Sequence, residues 1–185
     1  MDYVIRPVRA DEWQSVRELR LAALQDPAAP VAFLETYEQG LKRSDEAWRE
    51  RTLGASEDGA GEVRQFVAEG PDGSWAGSVT VLVEGPDVEA RFGEPAAVNQ
   101  GHLVGVFVRP EARGGGVADA LFRSAVDWAW SLEKPRLERV RLYVHEDNPR
   151  AAAFYRRFGF VPTGETVPMP GDPSARELEY VVTRP

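Results

Sequence analysis

The 185-residue sequence contains no cysteine and only two histidines, His102 and His145. The missing thiols exclude a disulfide framework, a cysteine nucleophile and a zinc ion held by thiolates. Two histidines are too few for a histidine-rich metal site, so we expect no metal in the function. The sequence also lacks the ~18–20 consecutive apolar residues of a bilayer-spanning helix, and its first residues form no apolar signal core. We therefore expect a cytoplasmic protein with no membrane partner.

The sequence has fewer basic residues (22) than acidic ones (30), which gives a formal net charge of −8. This balance argues against a nucleic-acid partner, because proteins that bind nucleic acid present a basic surface. It permits a cationic substrate such as an amine, although net charge is also an ordinary means of staying in solution. The hydrophobic fraction of 43% suffices for a sizeable core, and the length predicts one domain over residues 1–185.

Hydrophobic periodicity predicts the element order β-α-α-α-β-β-β-α-β-α-β-β, which is typical of a mixed sheet with helices on its faces. The first helix is expected to follow Asp11 as its cap, with Gln14 in capping-box spacing. A short helix is expected at residues 31–39, closed by Gly40. Residues 84–100 are polar and rich in glycine and proline, so we expect a surface loop there.

The segment most suggestive of chemistry is a glycine-rich turn between a buried strand and a helix. It reads Arg113-Gly114-Gly115-Gly116-Val117-Ala118. Free N–H groups at a helix start attract anions, and glycines let a phosphate approach the backbone. No lysine follows these glycines as a Walker A loop requires, and Asp119 occupies the third glycine position of a Rossmann fingerprint. The turn, residues 113–118, is therefore a candidate diphosphate site of another kind.

This glycine turn resembles the R/Q-x-x-G-x-G/A acyl-CoA signature of the GCN5-related N-acetyltransferase (GNAT) superfamily. A second block, residues 142–160, resembles the same family: a strand, then Asn148, then a helix that carries Tyr155 and ends at Gly159 and Phe160. The resemblance implies an α/β (α+β) fold. Its mixed, mostly antiparallel sheet of six to seven strands would be flanked by helices and splayed between the fourth and fifth strands.

The resemblance also implies the activity, an N-acetyltransferase that uses acetyl-CoA as co-substrate and acts on a small-molecule or peptide amine as a monomer or homodimer. Val106, Phe107 and Val108 would lie along the acetyl and pantetheine part of acetyl-CoA. The N–H groups of the glycine turn would hold the pyrophosphate, and Asn148 would contact the pantetheine arm. Asn148 is also explained as a helix cap before proline, and the Arg113 side chain as one partner of an exposed ion pair.

Tyr155 matches the position of the family's general acid, with its phenol near the CoA sulfur. A phenol with the ordinary pKa of about 10 is protonated at neutral pH and can donate without any shift. Packing beside Phe154 and Phe158 is the alternative role for this side chain. Direct transfer from acetyl-CoA to the amine needs no acyl-enzyme, which suits a chain without cysteine.

The sequence leaves the identity of the general base open. Many members of the family that this chain resembles carry a glutamate on the central strand. The corresponding residue here is Val104, so the chain departs from that pattern. His102, on the same face, has a suitable ordinary pKa of about 6.5, and Glu84 ends the preceding strand. Glu35 or Glu38 in the short helix, or a water chain without a dedicated base, are further alternatives.

The acceptor site has no readable motif. We expect it to involve residues 31–39, the loop at 84–100 and the proline- and glycine-rich connection at 168–173. A non-catalytic acyl-CoA-binding or regulatory module on the same fold is the second hypothesis, and a nucleotide-phosphate binder is a weaker third. Tyr155 and the intact glycine turn favour catalysis.

Overall fold

The structure is a computed structural model and describes residues 2–185, in which it contains seven strands, six α-helices and one turn of 3₁₀ helix at Pro110–Ala112. The strands are β1 (Val4–Pro7), β2 (Val63–Glu69), β3 (Trp75–Glu84), β4 (Gln100–Val108), β5 (Arg139–His145), β6 (Val161–Met169) and β7 (Asp172–Thr183). The helices are α1 (Trp13–Leu24), α2 (Ala29–Ala32), α3 (Tyr37–Lys42), α4 (Asp45–Ala55), α5 (Val117–Ser131) and α6 (Pro149–Phe158). Across residues 2–185, no helix combines the length and the apolar character needed to cross a membrane.

The strands form one sheet in the order β1-β2-β3-β4-β5-β7-β6. Neighbouring strands are antiparallel except β4 and β5, which run parallel. These two strands pair only between residues 100–102 and residues 139–141, and they separate beyond that point. The predicted fold class is thereby confirmed, including the splay between the fourth and fifth strands. Backbone groups that face the resulting gap are available to a ligand.

A β-bulge interrupts β4 where it faces the gap. Ser78 on β3 lies opposite Phe107, whereas Thr80 lies opposite Val104, so Gly105 and Val106 together face one residue of β3. Gly105 has a φ of +62°, a conformation that glycine adopts without the steric cost of a Cβ. Bulges re-aim the backbone and are common beside functional sites.

Helices cover both faces of the sheet because alternate strand residues point to opposite sides. On β2, Phe66 and Ala68 belong to the cluster that contains the buried face of α5. Val67, between them, belongs to a second cluster with Trp48 of α4. The sheet is thus held between α5 on one face and the α1 and α4 pair on the other.

The start of the first helix differs from the sequence prediction. Glu12 occupies the N-cap position of α1, and no side chain caps the helix. Instead, the Glu12 carboxylate accepts hydrogen bonds from Arg6 and from the backbone N–H of Arg9. The predicted Asp11 cap and its Gln14 partner are therefore wrong, because Glu12 takes part in a compact ion pair with β1.

The predicted helix at residues 31–39 is also wrong in its extent. Two short helices, α2 and α3, occupy this region, and residues 33–36 between them are not helical. The Thr36 side chain accepts from the N–H of Gln39, whose own side chain accepts from the N–H of Thr36. This capping box begins a new helix, so Gly40 lies inside α3 and is not its stop.

Two predicted loops are shorter than expected. Glu84 and Gln100 belong to β3 and β4 and are buried, so the loop between these strands comprises residues 85–99. The expected connection at 168–173 narrows to residues 170 and 171, because β6 and β7 continue their pairing across it. By contrast, the predicted cap at Asn148 and the helix stop at Gly159 are confirmed.

Candidate active site

A cavity of about 1150 Å³ opens where β4 and β5 diverge. Its wall includes residues 104–108 of β4 and 142–145 of β5, together with the beginnings of α5 and α6. The separation of the two strands therefore leaves a channel between them that is large enough for an extended ligand.

The glycine turn forms one end of this cavity, and each of its residues except Gly115 lines the wall. Gly114 and Gly116 have φ angles of +79° and +80°. A Cβ at either position would meet no protein atom within 4 Å, so packing does not demand glycine there. The left-handed backbone and the open space beside it suit a ligand that approaches the N–H groups at the start of α5 closely.

The Arg113 side chain is engaged by other protein groups. Its Nη2 donates to Oδ2 of Asp26 at 2.6 Å, and its Nε donates to the carbonyl of Val108 at 3.0 Å. Arg113 thus ties the glycine turn to the end of α1 and to β4. The structure contains the ion pair that we considered for this side chain, here with Asp26. The backbone of the glycine turn is therefore the part that can face a ligand.

The other residues expected to contact acetyl-CoA also line the cavity, namely Val106, Phe107, Val108 and Asn148. The Asn148 side-chain oxygen accepts from the N–H of Ala151 at 3.3 Å and so caps α6. Within residues 2–185 its NH₂ group makes no hydrogen bond, which leaves a donor beside the cavity. Capping and ligand contact are therefore compatible at this position.

Tyr155 lies in the cavity wall and in the core at once. Its ring stacks on Phe122 with centroids 5.6 Å apart and planes inclined by 17°. Burial, and then the nearby Glu177 carboxyl, raise the pKa of Tyr155 well above its ordinary value of 10. The phenol is consequently protonated at neutral pH and can act as a proton donor.

Glu177 and His145 are cavity residues that the sequence prediction missed. They are register partners on β7 and β5, and both are buried. Burial raises the pKa of Glu177 to about 7, although the neighbouring His145 partly opposes this. Such a carboxyl group exchanges protons near neutral pH, as acid–base groups in active sites do. No local motif marks Glu177, because its position beside Tyr155 depends on the pairing of β7 with β5.

The two predicted base candidates, His102 and Glu84, lie together. Nδ1 of His102 is 3.1 Å from Oε2 of Glu84, while Gln100 Nε2 and Arg141 Nε each donate to Oε1 at 2.9 Å. Burial opposes the charge on Glu84, but hydrogen bonds from His102, Arg141 and Gln100 lower its pKa to about 2. Glu84 is thus ionised and can only accept, so Nδ1 of His102 carries a proton. In the neutral ring Nε2 is then the acceptor, and His102 lines the cavity.

Arg141 extends this network to the loop at residues 85–99. Its Nη2 donates to the carbonyl of Glu94 at 2.7 Å, and the N–H of Glu94 donates to the Tyr143 hydroxyl at 3.1 Å. Phe92 packs edge-on against Tyr143 with centroids 5.1 Å apart. The loop is therefore attached to β5, and Arg91 and Phe92 form part of the cavity wall.

The remaining predicted residues divide between the cavity and the surface. Glu35 lines the cavity, where its carboxylate is paired with Arg20 and Arg43. Glu38 is exposed and is not part of the wall, and neither are residues 168–173. Of the three segments expected at the acceptor site, the structure brings two to the cavity.

Comparison with known proteins agrees with this architecture. The profile of the acetyltransferase (GNAT) family matches residues 13–160. Mycothiol acetyltransferase of Salinispora arenicola is 29% identical over 177 residues, an alignment that covers 80% of this chain and 50% of that protein. The chain thus spans about half the length of this relative.

Solved structures show the same fold at low sequence identity. A GNAT-family acetyltransferase from Streptococcus pneumoniae superposes with a TM-score of 0.70 at 17% identity, covering 99% of this chain and 100% of that one. PaiA N-acetyltransferase from Thermoplasma acidophilum, in complex with coenzyme A, gives a TM-score of 0.67 at 18% identity, with coverage of 97% and 98%.

The chain belongs to the GNAT acetyltransferase family, since the family profile matches most of its length. Enzymes of this family use acetyl-CoA. Among residues 2–185, no group of three or more histidine, aspartate or glutamate side chains is arranged to hold a metal ion.

Proposed function

We propose that this protein is an N-acetyltransferase that transfers the acetyl group of acetyl-CoA to a primary amine by direct attack in a ternary complex. One observation carries the proposal. A single cavity in the splay of β4 and β5 is lined by the glycine turn, by the protonated phenol of Tyr155 and by the imidazole of His102. An anion site, a proton donor and a proton acceptor therefore share one enclosure.

The cofactor-binding part of the proposal rests on backbone groups. The N–H groups of the glycine turn hold the pyrophosphate at the start of α5, where the helix dipole favours negative charge. Residues 106–108 and Asn148 hold the pantetheine arm between the separated strands. The N–H of Val106, within the bulge of β4, is our candidate donor to the acetyl carbonyl oxygen, where negative charge develops during attack.

His102 is the general base in this proposal. An amine that is protonated at neutral pH must lose a proton before it can attack, and Nε2 of His102 is the acceptor in the cavity wall. Glu84 is a positioning residue, because its carboxylate holds Nδ1 and is itself held by Arg141. This arrangement offers a base in a chain that has Val104 where many family members carry glutamate.

Tyr155 is the general acid. His102 first passes the ammonium proton to solvent; as the new C–N bond forms and the C–S bond breaks, it takes the second amine proton, while the phenol proton of Tyr155 passes to the departing thiolate. Solvent then returns a proton to Tyr155 and removes one from His102, so the protein is unchanged after a turnover. The nearby Glu177 carboxyl, like burial, keeps Tyr155 protonated between turnovers.

Val104, at the position where many family members carry glutamate, favours one alternative function. That alternative is an acyl-CoA-binding module without catalysis. Release of thiol from acetyl-CoA in the presence of a panel of primary amines separates the two functions. We expect amine-dependent thiol release, and an increase in melting temperature with acetyl-CoA but not with ATP or NAD. A melting-temperature increase without thiol release from any amine would support the binding module instead.

A further inference from the structure

A group of four arginines lines the cavity on the side formed by α1, α4 and the loop at residues 85–99. This arginine group consists of Arg20, Arg43, Arg51 and Arg91, and it shares the wall with Glu35 and Glu50. Four positive charges thus face two negative ones, within a protein whose net charge is −8. Such a local reversal of charge calls for a physical reason, since like charges gathered in a cavity repel one another.

Glu35 neutralises only part of this charge. Its Oε1 accepts from Nε of Arg20 at 3.1 Å, and its Oε2 is paired with Nη2 of Arg43. One carboxylate therefore serves two guanidinium groups, and both pairs are largely shielded from solvent. Glu50 is exposed on α4. The arginine group consequently keeps a surplus of positive charge at the wall.

Arg51 has no ion-pair or hydrogen-bond partner within residues 2–185. Its guanidinium carbon lies 5.6 Å from the centroid of the Trp48 ring, and that of Arg43 lies 5.0 Å from the same ring. The buried indole therefore contacts two cations. Partial desolvation at the cavity wall, and then the charges of Arg20 and Arg43, lower the pKa of Arg51 to about 10, which still leaves it charged at neutral pH.

The arginine group also reaches the centre of the sheet. A smaller cavity of about 20 Å³, with room for about one water, is lined by Arg20, Arg51, Thr80 and Gly105, among other residues. Gly105 belongs to the bulge of β4, beside the N–H of Val106 that we assign to the acetyl carbonyl. A group bound by Arg20 and Arg51 is therefore adjacent to the strand at which transfer takes place.

We propose that the acceptor is a primary amine that also carries an anionic group, either a carboxylate or a phosphate. Arg51, with Arg20 and Arg43, binds this anion, while the amine of the same molecule faces His102. A planar guanidinium matches both oxyanions well, because its N–H donors pair with two oxygens at once. This inference rests on the proposed acetyltransferase function. It also disfavours polyamines, whose several positive charges the arginine group repels.

The test compares amines that differ only in the anion. Two matched pairs are L-alanine with L-alaninamide and O-phosphoethanolamine with ethanolamine, and spermidine represents polyamines. In at least one pair we expect the anionic member to have the higher kcat/KM, by about 10- to 100-fold, because hydrogen bonds to charged groups contribute about 1.5–3 kcal/mol. The pair that shows the preference distinguishes carboxylate from phosphate.

The variant Arg51→Gln should remove most of that preference without lowering kcat/KM of the member that lacks the anion. Arg51→Lys should keep part of it, since lysine retains the charge but loses the planar fork. Arg49→Gln is the matched control, because Arg49 lies on the same helix but stacks on Trp13, 4.6 Å from its ring centroid, and does not line the cavity. It should leave both members unchanged.

The possible results distinguish failure of this inference from failure of the proposed acetyltransferase function. Preference for the neutral members or for spermidine would overturn the inference while leaving an acetyltransferase. An equal effect of Arg51→Gln on both members of a pair would also overturn the inference. So would an increase in the KM of acetyl-CoA in this variant, because that result would assign the arginine group to cofactor binding. Absence of both acetyl-CoA binding and thiol release would overturn the proposed function itself, and the inference with it.

Discussion

Nδ1 of His102 lies 3.1 Å from Oε2 of Glu84, inside a sheet where both side chains are almost completely buried. The ionised carboxylate fixes the proton of the imidazole on Nδ1 and leaves Nε2 as the acceptor. A buried carboxylate is stable here because Arg141 and Gln100 also donate to it. In the proposed mechanism the pair supplies an oriented base in a chain that has Val104 where many family members carry glutamate.

Replacing His102 with glutamine should lower kcat by about 10²- to 10⁴-fold, the usual contribution of a positioned proton acceptor. Affinity for acetyl-CoA should stay within a factor of a few, because the glycine turn is untouched. Steady-state kinetics and a binding titration measure the two effects. His145→Gln is the control for loss of a histidine at the cavity wall and should reduce kcat much less. Turnover of His102→Gln at the wild-type rate would exclude His102 as the base.

Tyr155→Phe removes one hydroxyl and keeps the ring that stacks on Phe122. We expect kcat to fall by about 10²-fold or more, with little change in melting temperature, because the proton donor is lost but the packing is retained. Tyr180→Phe is the matched control, since Tyr180 is a buried tyrosine outside the cavity wall. If the two variants have equal turnover across the pH range, Tyr155 is a packing residue only.

Gly116→Glu should weaken acetyl-CoA binding severely, because it places a carboxylate and a side chain at the proposed pyrophosphate site. Gly73→Glu is a closely matched control. Gly73 has a φ of +81° against +80° for Gly116, and a Cβ at either position meets no protein atom within 4 Å. Both variants therefore incur the same left-handed strain, of about 1–2 kcal/mol. Unfolding experiments should show similar losses of stability, and only Gly116→Glu should lose affinity. Equal affinities would contradict the assignment of the glycine turn.

Glu177 should make folding stability depend on pH in the direction opposite to most carboxyls. Its folded pKa of about 7 exceeds the ordinary 4.5, so the folded state holds this proton more tightly than the unfolded state. The associated stability is complete below about pH 4.5 and is lost as pH rises through about 7, to a total of about 3 kcal/mol at most.

The neutral isostere tests this directly. Glu177→Gln should therefore raise the free energy of unfolding at about pH 8 and change it little at about pH 4, as measured by urea denaturation. Glu165→Gln, at an exposed position on β6, is the control and should show no such difference between the two pH values. A Glu177→Gln variant that is equally or less stable at the higher pH would show that the carboxyl is not held at a raised pKa.

The features that sequence predicts best here are those that depend on a few adjacent residues. Asn148 followed by proline marks the start of α6, Gly159 marks its end, and the glycine turn lies at the start of α5 as expected. Backbone conformation at these positions is dictated locally, by caps and by positive φ. Together with the two family-like blocks, they were enough to predict the fold class and the splayed sheet.

Features that depend on strand register could not be predicted in the same way. Glu84 meets Arg141, 57 positions later, only because β3, β4 and β5 are adjacent in the sheet. Glu177 meets His145 through the pairing of β7 with β5. The arginine group combines two helices, the end of a third and a loop. The Asp11 cap failed for a related reason, since the ion pair of Glu12 with Arg6 links the helix start to a strand.

The most direct test of the account is quantitative detection of N-acetylated amine and free CoA in the same reaction, with purified protein, acetyl-CoA and the amine panel. We predict that the two products form in equal amounts, that both require the amine, and that Tyr155→Phe and His102→Gln reduce both together. CoA release without acetylated amine, or a purified protein that binds acetyl-CoA and acetylates no amine in the panel, would contradict direct transfer to an amine by this site.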